Sequence, residues 1–90
     1  QNNRVVGNII DVRQVNEYKI GHVPNALNVE LGSISQASLP QRPLTMMCGH
    51  GDRAMTSASI LARMGRTDLV VFDGGPETWS LATQIPLETN

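Results

Sequence analysis

Cys48 is the one cysteine in the chain, and it opens the run Cys48-Gly49-His50-Gly51-Asp52-Arg53. Leu44-Thr45-Met46-Met47 leads into it as a strand, and helix-patterned sequence begins near Ala54. A thiol at the turn from a strand into a helix N-terminus meets backbone N–H groups that favour thiolate over thiol. The chemistry this suggests is that of a nucleophilic thiolate. The bland alternative is a small buried core residue, the usual fate of a lone cysteine. Gly49 and Gly51 offer little side-chain bulk to bury it.

The other candidates in the loop have plainer readings beside their chemical ones. Arg53 is suited to holding an anion or orienting a donor, or else pairs with Asp52 or another surface acid. Asp52 is expected to cap the following helix. His50 either modulates the loop or is simply solvated. The amides of residues 49 to 53 form the natural cradle for a charged sulfur.

The elements that must position this loop follow from pattern. Val5-Val6 and Ile9-Ile10 run into Asp11-Val12-Arg13 as a strand. Gln14 to Ile20 is read as one or two helical turns. Gly21-His22-Val23-Pro24-Asn25 is a turn cluster, in which His22 is expected to fix the turn by hydrogen bonding. Ala26 to Val29 is a short strand, and Gly32 to Pro43 is a loop with one helical turn. Ala54, Ala58, Leu61 and Ala62 recur at helical steps until Gly65 ends the helix. Leu69 to Phe72 is a buried strand. Asp73-Gly74-Gly75 turns the chain, and Pro76 opens a short helix containing Trp79. Residues 85–90 read as a tail. Arg13 is expected to pair with Asp11 or with Glu17 four residues on. All four methionines are read as packing residues, and Trp79 as core.

Strands alternating with helices predict an α/β fold with a mainly parallel sheet. Sites in such sheets gather at strand carboxyl ends, where Asp11, Cys48 and Asp73 all fall. Ninety residues make one small domain. With 40% hydrophobic and 17% charged residues and a net charge of −1, nothing argues for nucleic acid or an anionic membrane as partner. No apolar run reaches the roughly 18–20 residues of a membrane helix. One cysteine with His22 and His50 does not build a zinc site, and no cofactor is expected. A free, activated thiol fits a reducing, cytoplasmic setting.

Three stretches together resemble the rhodanese-like domains. They are Asp11-Val12-Arg13 with Glu17-Tyr18 and Gly21 to Val29, the loop Cys48 to Ala54, and Asp73-Gly74-Gly75 with Trp79. The resemblance covers about residues 8 to 80. It implies a three-layer α/β/α fold around a parallel sheet of about five strands, in a single domain over 1–90 with its core at about 8–82. It also implies a sulfurtransferase in which Cys48 is catalytic and carries sulfane sulfur as a persulfide. Gly49, His50, Gly51, Asp52 and Arg53 would then contact the substrate. The partners implied are a small sulfur donor, such as thiosulfate or a persulfide, and a thiol or cyanide acceptor. Four residues separate Cys48 from Arg53, against about five in phosphatases of related fold. That favours a single sulfur atom over a tetrahedral phosphate and puts phosphatase or arsenate reductase chemistry behind. Asn25 stands where the family usually has glycine, and asparagine tolerates left-handed backbone angles. Asp52 is an acid where many thiosulfate-using members are neutral or basic, which weighs against a dianionic donor. Ten residues precede Asp11, fewer than the family's usual strand and helix, so those N-terminal elements of the sheet are expected to be missing from this chain or supplied by a neighbouring domain. This leads to the expectation of a longer polypeptide, in which the domain could serve as a sulfur-relay or docking module fused to a larger enzyme such as a metallohydrolase.

Overall fold

The computed structural model describes residues 4–89. Four strands, β1 (Asn8–Asp11), β2 (Leu27–Asn28), β3 (Leu44–Met47) and β4 (Leu69–Val71), alternate with helices α1 (Val15–Ile20), α2 (Asp52–Arg63) and α3 (Pro76–Thr83). A 3-10 helix, Leu31–Gln36, lies between β2 and β3. The strands pair in the order β2-β1-β3-β4, all parallel, with Ile10 opposite Met46 and Met46 opposite Val71.

β3 is central and buried along its whole length. Its alternate residues feed two different cores, as a sheet covered on both faces requires. Leu44, Met46 and Cys48 pack with Ile10, Val12, Ile34, Ala54 and Leu61, beneath α2 and the 3-10 helix. Met47 joins Ile9, Val23, Ala26 and Phe72 on the opposite face, where Tyr18 of α1 and Trp79 of α3 cover them. Cys48 therefore continues the inward alternation on the α2 side. The layers are helix, sheet, helix.

Among the described residues the sheet holds four strands, against the about five implied by the resemblance. The first strand begins at Asn8 rather than at Val5: the Val6 N–H and C=O both bond the Thr45 hydroxyl, each at 2.8 Å, instead of joining a ladder. At the β2 edge, pairing is prolonged by a side chain. Asn28 Nδ2 donates to the carbonyls of Asp11 and Arg13, each at 3.0 Å.

α2 stops where glycine allows it. Gly65 has φ +99; its N–H bonds the Ala62 carbonyl, and the Arg66 N–H reaches back to Leu61, the paired closure of a Schellman end. Arg66 then ties the approach to β3 and β4 together, donating to the carbonyls of Pro40 and Arg42 and to Asp68. Asn25 sits at φ 70 in the turn before β2, so the substitution of asparagine for glycine is accommodated. In that turn His22 Nδ1 lies 2.8 Å from the Tyr18 carbonyl, so Nδ1 carries the hydrogen, and its ring stacks on Tyr18 at 3.8 Å.

Three expectations need correction. Residues 85–89 are not a loose tail: Glu88 exchanges both backbone hydrogen bonds with His22, and Leu87 packs on the second core. Only two methionines pack inside. Met55 and Met64 are 62% and 60% exposed: Met55 stands on the outer side of α2, and Met64 caps the helix just past its last residue, Arg63. Trp79 is partly buried, covering the second core rather than filling it.

Candidate active site

The cysteine loop is built from the end of β3 and the start of α2. Gly51 is the residue before the helix and has φ +97, a conformation that side chains rarely adopt. It carries no side chain to satisfy the first free N–H groups of α2. Asp52, expected as the cap, makes no capping bond; it is the first helical residue and sits beyond the capping position. The acceptor is Cys48 itself. Its Sγ receives the N–H of Gly51 at 3.0 Å and that of Ala54, in the first turn, at 3.3 Å. The sulfur thus occupies the place of an N-cap oxygen, with two N–H dipoles converging on it.

Cys48 is fully covered, at 0% exposure. The turn before α3 comes so close that a Cβ on Gly75 would sit 2.5 Å from the Gly49 carbonyl oxygen and 2.8 Å from that of Cys48. Two clefts flank the loop, with His50 lining both. One of about 410 Å³ is walled by Arg13, Glu17, Gly49, Gly75 and Leu87, among others. One of about 350 Å³ is walled by Gly51, Asp52, Met55 and Asp73, among others. His50 and Asp52 are exposed, and Gly49, Gly51 and Arg53 are half-buried. All six candidate residues therefore lie in or beside one short loop, with the sulfur beneath it.

Of the two kinds of partner expected for Arg53, Asp52 or another surface acid, it takes the second. Its guanidinium grips Glu17 of α1, at 2.8 Å from Nη1 and 3.2 Å from Nη2. Glu17 in turn accepts the Gln14 N–H at 2.9 Å. The Arg53 hydrogen bond, helped by that backbone bond, takes the Glu17 carboxyl down to about 2, against an ordinary 4.5. The same pairing raises Arg53 above its already high value. The alternative Arg13–Glu17 pair does not form. Arg13 instead clasps Asp11 through Nε at 2.9 Å and Nη2 at 2.8 Å, and also donates to the Gly21 carbonyl. Asp11 is wholly buried, and its carboxylate is engaged by Arg13.

Glu17 and Gly75 are the residues at this site that sequence reasoning did not place there. Glu17 reaches Arg53 across 36 positions of sequence, a partnership no local spacing reveals. Gly75 was legible as a tight turn, but its approach to the cysteine loop depends on how α3 packs.

Among the described residues no group of three or more His, Cys, Asp or Glu could hold a metal, and no helix is long and apolar enough to cross a membrane.

Fold and loop together define a parallel α/β domain with a cysteine seated at a helix N-terminus. A family model described as the rhodanese-like domain matches residues 1–82. A thiosulfate sulfurtransferase GlpE from Pseudomonas syringae pv. syringae is 32% identical over 85 residues, covering 90% of this chain and 77% of that protein. Among solved structures, a rhodanese-like domain protein from Staphylococcus aureus superposes with a TM-score of 0.77 at 27% identity, over 92% of this chain and 80% of that one. A rhodanese-related protein from Thermoplasma volcanium gives a TM-score of 0.78 at 21% identity, over 92% and 84%. The chain belongs to the rhodanese-like domain family.

Proposed function

We propose that this chain is a sulfurtransferase domain that moves sulfane sulfur from a small donor to a thiophilic acceptor through a persulfide on Cys48. The observation that carries the reading is the pair of N–H groups, from Gly51 and Ala54, directed at the Cys48 sulfur. Donors so placed stabilise negative charge on sulfur without reorganising, which is what a thiolate nucleophile needs.

In the first half-reaction the Cys48 thiolate attacks the outer sulfur of the donor. A sulfur–sulfur bond forms at Cys48, the donor's own bond to that sulfur breaks, and the leaving group departs with the electron pair. Thiosulfate would leave as sulfite, and a persulfide R–S–S⁻ as the thiolate R–S⁻. In the second half, the acceptor thiolate or cyanide attacks the terminal sulfur and Cys48 leaves as thiolate. In this reading the amides of residues 49 to 53 cradle the added sulfur, that of Gly51 already donating to the Cys48 sulfur. Gly49, His50, Gly51, Asp52 and Arg53 form the substrate-contacting set in this reading. Four intervening residues between Cys48 and Arg53 favour it over phosphoryl chemistry, and the full cover of Cys48 means that the loop must shift to admit a donor.

The test is a panel of thiosulfate and low-molecular-weight persulfides against wild type and Cys48→Ser, followed by cyanide or thiol acceptors and read as thiocyanate or sulfide. Turnover that vanishes with the serine variant supports the reading; turnover that survives it overturns it.

A second reading, a relay or docking module acting within a longer polypeptide, draws on a specific surface feature. Ile20 and Leu81 are 79% and 81% exposed, and Leu87 borders both the larger cleft and the hollow beside Leu81. Apolar surface leading away from a reaction mouth suits an acceptor carried on another domain or protein. Faster sulfur delivery to a protein-borne thiol than to a small thiol at equal concentration would favour it.

A further inference from the structure

Arg13 lines the larger cleft and Arg53 bonds Glu17 in its wall, and both guanidinium groups are occupied. Arg13 is neutralised by Asp11 and Arg53 by Glu17. The carboxylates that remain around the loop are not: Glu77 lines the larger cleft, Asp52 and Asp73 line the other, and none of them makes an ion pair with a described residue. A donor approaching Cys48 therefore meets negative charge, although two guanidinium groups lie close by.

Glu17 holds the key position. It belongs to α1, not to the loop, and lines the larger cleft beside Gly49 and His50. Arg53 Nη2 lies only 3.5 Å from where a Cβ on Gly49 would be, so the guanidinium reaches over the residue next to the nucleophile. Both side chains are about one-third exposed, 36% for Arg53 and 37% for Glu17. An approaching anion can feel the pair, but feels it as neutral. Resting on the sulfur-transfer reading, we infer that Glu17 sets the charge of the donor: by occupying Arg53 it disfavours dianionic thiosulfate and leaves the site to neutral or singly charged persulfides. Glu17 acts through Arg53 and is a positioning residue; it takes no part in bond making. Coulombic repulsion between a dianion and the unpaired carboxylates is the physical basis, moderated by solvent and salt.

Glu17→Gln is the informative change. The amide oxygen can still accept the Gln14 N–H and one bond from Arg53, so the start of α1 is kept while a negative charge is removed. The readout is the rate of sulfur loading on Cys48 against donor concentration, with thiosulfate and with cysteamine persulfide, whose ammonium cancels its persulfide charge. The ratio of KM for thiosulfate to KM for cysteamine persulfide is expected to fall about fivefold in the variant, as expected for one added positive charge at a screened site. A purely structural role for Glu17 would move both KM values together, and an unchanged ratio, or one that rises, overturns the inference while leaving sulfur transfer intact. Wild type supplies a second measurement that does not depend on the variant folding. Raising salt from about 20 mM to about 300 mM should lower KM for thiosulfate by screening repulsion; a rise in KM would show an attractive mouth and contradict the inference. If neither donor loads Cys48 in wild type, sulfur transfer falls and this inference falls with it.

Discussion

Arg13 and Arg53 each hold a carboxylate, Arg13 through three guanidinium hydrogen bonds at the end of β1 and Arg53 through two beside the cleft. Arg13 and Asp11 are two residues apart, and Asp11 is fully buried. The pair closes the end of β1, and Arg13 goes on to fasten the Gly21 carbonyl of the turn. Arg53 and Glu17 are 36 residues apart and join α2 to α1 where solvent reaches both. The same two functional groups therefore do different work. The buried pair is a structural necessity once its charges are inside, because either partner left alone would be an uncompensated charge. The exposed pair adds little stability but determines what charge a ligand meets.

The contrast is sharpest in what breaking each pair should cost. Asp11→Ala strands the Arg13 guanidinium and removes the acceptor of the Arg13 N–H. A loss of about 3–5 kcal/mol is expected, read from urea denaturation. A loss below about 1 kcal/mol would mean that the two pairs are equivalent and the contrast is mistaken. Gly75→Ala, between the pairs, drives a methyl into the carbonyls of Gly49 and Cys48. It should cost about 1–3 kcal/mol, as overpacking against backbone does, and slow sulfur loading at Cys48; normal stability and loading together would show that the α3 turn does not support the loop.

Glu17→Gln comes next, at about 1 kcal/mol or less, since solvent screens a pair this exposed. Its signature is the pH dependence. With the Glu17 carboxyl at about 2 in the fold and an ordinary value of 4.5, the pair's contribution is present above about 4.5 and is lost as pH falls toward about 2. Wild type and variant should thus differ most near pH 7 and converge in acid; a difference that grows in acid would give the pair the opposite sign. Asp52→Asn has the smallest expected effect, about 0.5 kcal/mol, from the loss of a carboxylate in the first turn of α2 that has neither a capping bond nor a cation. A cost above about 1.5 kcal/mol would show that Asp52 holds the helix start after all.

Features set by local backbone demands were legible in the sequence. Gly65 ends α2, Asn25 takes the left-handed turn, and the alternation from Leu44 to Cys48 points the sulfur to the α2 side, all because each depends on residues a few positions away. Features set by the meeting of distant segments were not. Glu17 had two arginines within tertiary reach, and helix spacing favoured the local one, Arg13, which the buried carboxylate of Asp11 had already claimed. Asp52 looked like the cap of α2, yet Gly51 takes the cap position and the Cys48 sulfur supplies the acceptor. Residues 85–89 lack strand character and still dock, because His22 presents a free backbone edge to Glu88. The fifth strand was implied by resemblance rather than by pattern, and the first strand starts later than its β-branched residues suggest because the Thr45 hydroxyl takes both backbone groups of Val6.

The account rests on Cys48 as the sulfur carrier, and intact-mass analysis after incubation with each donor tests that directly. A gain of about 32 Da, one sulfur atom on the nucleophile, is expected in wild type, discharged by cyanide and absent from Cys48→Ser. No gain with any donor, or an equal gain in the serine variant, would contradict it.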